Sequence, residues 1–236
     1  MPNLVIENIS TAEEEFVRKF YYEISKLDKR LIYLINSYGL KIILANKLSD
    51  VFPEDKLEKI DENIDYDTPD KDKTTRGLLS TTINAICVFS DNVYVENIGA
   101  ILYHEIGHLI DFFECLKENE FTPFPLSNDD KFIKTYQKEL TKNWDKIKND
   151  DRFRLKHYIQ SSTPEKISAY ALRETFAHCF ARINNKFDDI DILGEYFEEL
   201  LPVTKKIYSK FLFTVYFMMI KNSFNQLKFN FLQRTF

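Results

Sequence analysis

The chain has 236 residues, of which 44% are hydrophobic and 15% aromatic, and it carries a net charge of -5 with a pI near 5.5. That apolar content can bury a sizeable core, and an acidic chain without a basic cluster excludes nucleic-acid binding driven by overall positive charge. Only 5 Gly and 7 Pro argue against a loop-dominated or all-β fold, and Cys87, Cys115 and Cys179, odd in number and without C-x-x-C spacing, read as buried thiols rather than a disulfide framework.

In chain order, Asn3 to Ile6 predicts a short strand. Ser10 or Thr11 ahead of three glutamates, Glu13 to Glu15, is a helix start, and the helix runs to about Asn36, where Tyr38-Gly39 stops it. Lys41 to Ala45 is a second strand, and Asp61 to Thr75 is an acidic, turn-rich surface loop. Leu78-Leu79, Ile83 to Phe89 and Val93 to Val95 are β-prone pieces that predict a small sheet just before an apolar helix from Ile98 to Leu116 with Asn97 as its N-cap. The rest reads as helices: Asp129 to Trp144, Lys146 to Ile159, Pro164 to Ile183, Ile190 to Leu200 and Pro202 to Phe224, with both prolines at first helical positions. The longest apolar run, Phe211 to Ile220, is too short for a membrane span and predicts a buried helix. Residues 1 to 20 lack an apolar stretch after a basic start, so no conventional secretory signal is expected there. No boundary divides the chain. The expectation is one α+β unit, with residues 1–75 as an N-terminal helix and strand region and 76–236 as a catalytic core.

The chemistry concentrates in His104-Glu105-Ile106-Gly107-His108, an H-E-x-x-H signature inside that apolar helix. Residues four apart project from one helix face, so both imidazoles can reach one Zn²⁺ with the glutamate beside its water. The bland reading is a surface helix with two solvated histidines, which the apolar surroundings oppose. Gly107 costs the helix about 1 kcal/mol relative to alanine, which calls for a close approach of a strand or substrate. A metzincin would place a third histidine on the same segment, but Asp111 and Glu114 stand at its glycine and histidine positions. The remaining zincin pattern takes a glutamate from a later helix, and Glu174, in Glu174-Thr175-Phe176-Ala177-His178-Cys179-Phe180, is the candidate.

These segments resemble the zinc-peptidase domain of anthrax toxin lethal factor and the related Pro-Pro endopeptidases, in which an H-E-x-G-H-x-x-D helix is followed by a Ser-Tyr element and by E-x-F-A-E-x-F. Here the matching pieces are His104 to Asp111, Ala169-Tyr170 and Glu174 to Phe180. The resemblance covers residues 77 to 183 best. It implies a zincin-like fold, with a small sheet before the H-E-x-x-H helix and a mostly helical C-terminal half. It also implies an endopeptidase of toxin or effector type, secreted or delivered into a host cell, that acts on a protein or peptide substrate. In this reading His104, His108 and Glu174 hold zinc, Glu105 is the general base and Tyr170 stabilises the oxyanion. Tyr170 precedes Glu174 by four residues where the family has seven. Tyr158 keeps the usual seven-residue distance to Glu165, but that glutamate lacks the E-x-F-A signature.

His178 replaces the family's second glutamate and shares a helix face with Glu174. It either donates a hydrogen bond to the site from behind, enters the coordination sphere, or is a satisfied core histidine. Asp111 either orients an imidazole or caps the solvent side of its helix, and His157 reads as surface. A peptide would lie extended along an edge strand; Ile83 to Phe89 is either that edge or a buried central strand. The alternative function is a catalytically silent zinc-binding domain that serves as a protein-interaction module. Retention of Glu105 argues against it, because a structural zinc site needs no base.

Overall fold

Alternating apolar residues in the β-prone segments build a four-stranded sheet whose two faces divide between separate hydrophobic clusters. The computed structural model describes residues 4–9, 13–52, 75–91, 93–112, 125–147, 155–184 and 192–234, with side chains through residue 221. Strand β1 is Ile6–Asn8, β2 is Lys41–Ala45, β3 is Gly77–Ser80 and β4 is Ala85–Phe89. The order is β1-β2-β4-β3, parallel for the first three strands and antiparallel between β4 and β3. Ile42, Leu44, Ile86 and Val88 face the main core, while Ile43, Ala45, Cys87 and Phe89 face the second cluster with Leu48 and Phe52.

Three strand readings are settled by the pairing. Asn3 lies outside the described residues, and among those described β1 begins at Ile6, whose register matches Ile6 to Ile42 and Asn8 to Leu44. β4 is buried at every position and lies between β2 and β3, so the segment Ile83 to Phe89 supplies the central strand and β3 takes the edge. Val93 to Val95 is not a strand. After β4 the chain turns out of the sheet, leaves Tyr94 exposed and enters a 3-10 turn at Val95–Asn97.

The expected first helix is two. Helix α1, Glu14–Ser25, buries Phe20 and Ile24, and α2, Lys29–Ser37, buries Leu31, Leu34 and Ile35, the 3- and 4-residue steps of one helix face. Asp28 divides them. Its extended backbone and its carboxylate, which accepts a hydrogen bond from the Arg30 N–H, restart the helix as an N-cap. Ser10 and Thr11 lie outside the described residues. Gly39, at φ +62, then reverses the chain into β2, a left-handed turn that a side chain would strain.

Beyond the short α3, Leu48–Val51, the central helix α4 spans Ile98–Asp111. Asn97 stands at its start, but the 3-10 turn leads into the helix and the asparagine side chain makes no capping bond. Phe112 ends it, and 113–116 and Cys115 lie outside the described residues, as do 61–74 of the expected acidic loop. Cys87 and Cys179 are buried thiols, as expected.

A 3-10 turn at Leu126–Asn128 leads to α5, Asp130–Lys146, capped by Asp129. Of the helix expected over Lys146 to Ile159, 148–154 lie outside the described residues; α5 ends at its start, Leu155 is not helical, and Lys156–Ile159 forms α6. Pro164 is not a first helical residue, because Thr163 and Lys166 pair their backbones in a tight turn and α7 begins only at Ala169, running to Asn184. Helix α8 is Ile192–Tyr196 and α9 is Leu200–Arg234, with Pro202 inside its first turn, where a missing N–H removes no helical bond.

Residues 211–220 are helical but only half buried. Phe211, Leu212 and Val215 face the core, while Phe213, Tyr216 and Phe217 are exposed, so one stripe rather than the whole run packs inward. Among the described residues no helix is long and apolar enough to cross a membrane. Aromatic pairs tie the helices together: Phe132 on Phe176, Tyr136 stacked on Phe197 and Phe180 on Tyr208. Burying each such ring contributes about 2–3 kcal/mol.

Candidate metal centre

Ile98, Leu102, Ile106, Leu109 and Ile110 sink α4 into the core. What remains at the surface of the helix is the line Ile101, His104, His108 and Phe112, and the two histidines take their place on it by the four-residue spacing. Helix α7 crosses this line. Its apolar residues Leu172, Phe176 and Phe180 are buried, while Tyr170, Glu174 and His178, again four apart, share the face turned away from that core. The crossing is at backbone distance. A Cβ on Gly107 would stand 2.8 Å from the Ala177 Cα, so the close approach that the glycine calls for is made by a helix rather than a strand.

The Nε2 atoms of His104 and His108 lie 3.1 Å apart, and the Glu174 carboxylate oxygens stand 3.4 Å and 3.5 Å from them. Imidazole nitrogens and carboxylate oxygens bound at 2.0–2.2 Å to a tetrahedral ion are separated by about 3.3 Å, so this donor set has the dimensions of three corners around a small divalent cation. Among the described residues, His104, His108 and Glu174 are the group that could hold a metal ion. Side-chain exposures of 21%, 15% and 19% leave the cluster open to solvent on one side, as a substrate would need.

The charge states also suit metal binding. Burial pushes His108 down to about 4, keeping it neutral, while Glu174 is held well below the ordinary carboxylate range against its own burial by the two imidazoles. Burial lowers His104 too, but the facing Glu174 carboxylate outweighs it and draws a proton to that ring; a cation at the same point competes for this position. Glu105 sits just behind the cluster, 7% exposed, with its pKa pushed up to about 7, mainly by burial and further by Glu174, against the His104 ring and the Leu79 N–H that its carboxylate accepts. Strand β3 reaches it closely, since a Cβ on Gly77 would meet the Glu105 Oε1 at 2.7 Å. Neither Gly77 nor Leu79 stands out in the sequence; the available signal was a glycine opening a strand in a chain with only 5.

The other sequence candidates separate clearly. Glu165 is exposed and outside the cluster, whereas Tyr170 lies in the first turn of α7, partly buried, one turn before Glu174. Tyr158, on α6, places its hydroxyl 3.0 Å from the His178 Nδ1. The His178 ring meets the His104 ring nearly perpendicularly, 6.4 Å between centroids, and burial pushes its pKa down to about 3. His178 is therefore beside the cluster and not among its three donors. Asp111 does neither of the things expected of it. Its fully buried carboxylate accepts hydrogen bonds from the Ser127 backbone N–H at 2.6 Å and hydroxyl at 3.0 Å, tying the segment before α5 to the end of α4. His157 is exposed, as expected.

No family model and no curated protein sequence matches this chain. Among solved structures, a Pro-Pro endopeptidase from Paenibacillus alvei is similar at 15% identity and a TM-score of 0.43, over 86% of this chain and 96% of that one. At those values the likeness carries no weight for function.

Proposed function

We propose that this chain is a zinc-dependent endopeptidase of zincin type, with His104, His108 and Glu174 as zinc ligands and Glu105 as general base. The observation that carries the reading is the convergence of two imidazole nitrogens and a carboxylate at 3.1 Å to 3.5 Å, with a second, buried carboxylate beside them that is not part of the donor set. Zinc held there supplies Lewis acidity, drawing the pKa of water towards about 7 and polarising a carbonyl. Glu105 takes the proton of the attacking water on its carboxylate and later returns it to the leaving amine. The Leu79 N–H and the close backbone of Gly77 restrict where that carboxylate can point. Tyr170, one turn before Glu174, donates its hydroxyl to the oxyanion. The peptide lies extended beside β3, the edge strand that touches Glu105, and gains affinity from main-chain pairing.

Cleavage of a peptide library by zinc-loaded protein tests the reading, with Glu105→Gln as control. The wild type is expected to cut, and the variant to keep zinc and fold while losing hydrolysis by at least a hundredfold, because the base is not a ligand. A Glu105→Gln protein that still cleaves at near wild-type rate refutes the mechanism. A wild type that binds zinc and cuts nothing points to the protein-interaction module instead.

A further inference from the structure

Two side chains beside the metal centre take no part in the chemistry above, and they are bonded to each other. The Tyr158 hydroxyl and the His178 Nδ1 are 3.0 Å apart, with ring centroids at 5.1 Å and planes crossed by 64°. His178 then turns its ring to His104 at 6.4 Å and 73°. Behind the pair, Tyr158 is fixed by its main chain: its carbonyl accepts from the Tyr136 hydroxyl at 2.5 Å and from the Thr175 Oγ1 at 3.5 Å, and Thr175 directly follows Glu174. Tyr136 is fully buried and stacked on Phe197. A continuous series of contacts thus runs from the core between α5 and α8 through α6 to one imidazole of the cluster.

We propose that Tyr158 and His178 are positioning residues of the metal centre: the Tyr158 hydroxyl fixes the rotation of the His178 ring, and that ring holds the His104 imidazole with its Nε2 aimed at His108 and Glu174. The inference rests on the metal-binding reading of the site and adds two residues to it. An imidazole rotates softly about its terminal torsion, so a ligand histidine without support spends part of its time pointing elsewhere, and that loss appears as weaker metal binding. An apolar side chain at 178 could fill the same volume, but no hydroxyl could lock it. Tyr158 acts only through His178, and the two effects are therefore coupled rather than independent.

The test is a double-mutant cycle read by zinc affinity, from competition with a chelator, and by the visible spectrum of the cobalt-substituted protein. His178→Ala is expected to weaken zinc by about 10- to 100-fold, the range seen when a group supporting a ligand histidine is removed. Tyr158→Phe, which deletes one oxygen and leaves the packing, is expected to weaken it less, by about 3- to 10-fold, with a changed cobalt band shape at the same metal stoichiometry. The double variant is expected to bind no more weakly than His178→Ala alone. A purely structural pair would lower the melting temperature of the metal-free protein and leave the cobalt spectrum of the folded variants unmoved. Zinc affinity within twofold of wild type in Tyr158→Phe and in His178→Ala overturns the inference, and so do losses that simply multiply. If His178→Ala does not fold, Tyr158→Phe decides alone through its affinity and its cobalt band. A wild type that binds no zinc removes the metal reading and this inference with it, whereas a wild type that binds zinc beside unaffected variants removes the inference only.

Discussion

Placing a methyl group at position 107 tests how firmly the two ligand helices set the site. In Gly107→Ala the new Cβ would meet the Ala177 Cα at 2.8 Å, its carbonyl oxygen at 3.0 Å and its Cβ at 3.2 Å. Carbon atoms rest at about 3.5–4.0 Å, so α7 must retreat from α4 by about 0.7 Å at the crossing, and two of the three contacts are backbone that cannot swing aside. The crossing lies between ligands, since His104 and His108 flank residue 107 and Glu174 is one turn before Ala177 on α7. Alanine returns about 1 kcal/mol of helix propensity, but overpacking takes about 1–3 kcal/mol, for a net loss near 1 kcal/mol. In a chain of this size that is a fall of about 2–4 °C in Tm. The effect on metal is larger, because a shift of about 0.7 Å exceeds the roughly 0.2 Å tolerance of a ligand bond, and zinc affinity is expected to drop at least tenfold. A thermal melt of the metal-free protein and a chelator titration measure the two quantities. Gly39→Ala is the control: it strains a turn at φ +62 with nothing within 4 Å, and should lower Tm without touching zinc. A Gly107→Ala protein with wild-type zinc affinity would refute the reasoning that main-chain contact fixes the ligand spacing.

Metal analysis of Glu174→Ala should show zinc lost, and Glu165→Ala, at an exposed position, should retain it; the reverse pattern would move the third ligand. Tyr170→Phe should keep zinc and stability and lower kcat by about 10- to 1,000-fold, whereas a kcat within twofold of wild type would make Tyr170 a packing residue and send the search for the oxyanion donor elsewhere. Burial raises the Asp111 pKa from 3.8 to about 6 against the opposing pull of the Ser127 bonds and Arg173, so the folded state binds this proton more tightly than the unfolded chain. The stability it contributes is full only well below the unfolded value of 3.8 and is lost as pH rises from there through 6. Urea unfolding at pH 4 and pH 7 should therefore show wild type losing about 2 kcal/mol relative to Asp111→Asn across that interval, and no change in the difference would mean that Asp111 titrates normally.

The sequence made some of this legible and hid the rest for physical reasons. His104 and His108 could be placed on one face because the helix period is local, and Lys41–Ala45 could be read as a strand from its own side chains. The rank of β4 in the sheet could not, since a run of five buried residues looks the same whether its neighbours lie on one side or two; only pairing with both β2 and β3 decides it. The break at Asp28 was written in a capping residue but overridden by the apolar spacing on both sides. The helix period places Asp111 one turn past His108 but cannot show that its carboxylate binds Ser127, 16 residues away, because nothing in the intervening sequence reports that contact. The pairing of Tyr158 with His178, 20 residues apart, was hidden in the same way.

The route of the chain between the two ligand helices bears on how the protein folds. Glu174 follows His108 by 66 residues, yet the chain is caught repeatedly on the way, by Ser127 on Asp111, Tyr136 on Tyr158 and Tyr158 on Thr175, at separations of 16, 22 and 17 residues. Closure entropy grows as the logarithm of loop length, so drawing the helices together across an uncaught excursion would cost about 1 kcal/mol more than the last of these short steps. The three donors are distant in sequence but are brought together by successive local captures. Each contact closed on the way shortens the loop that remains when the helices meet, which lowers the entropy cost of bringing the three donors together.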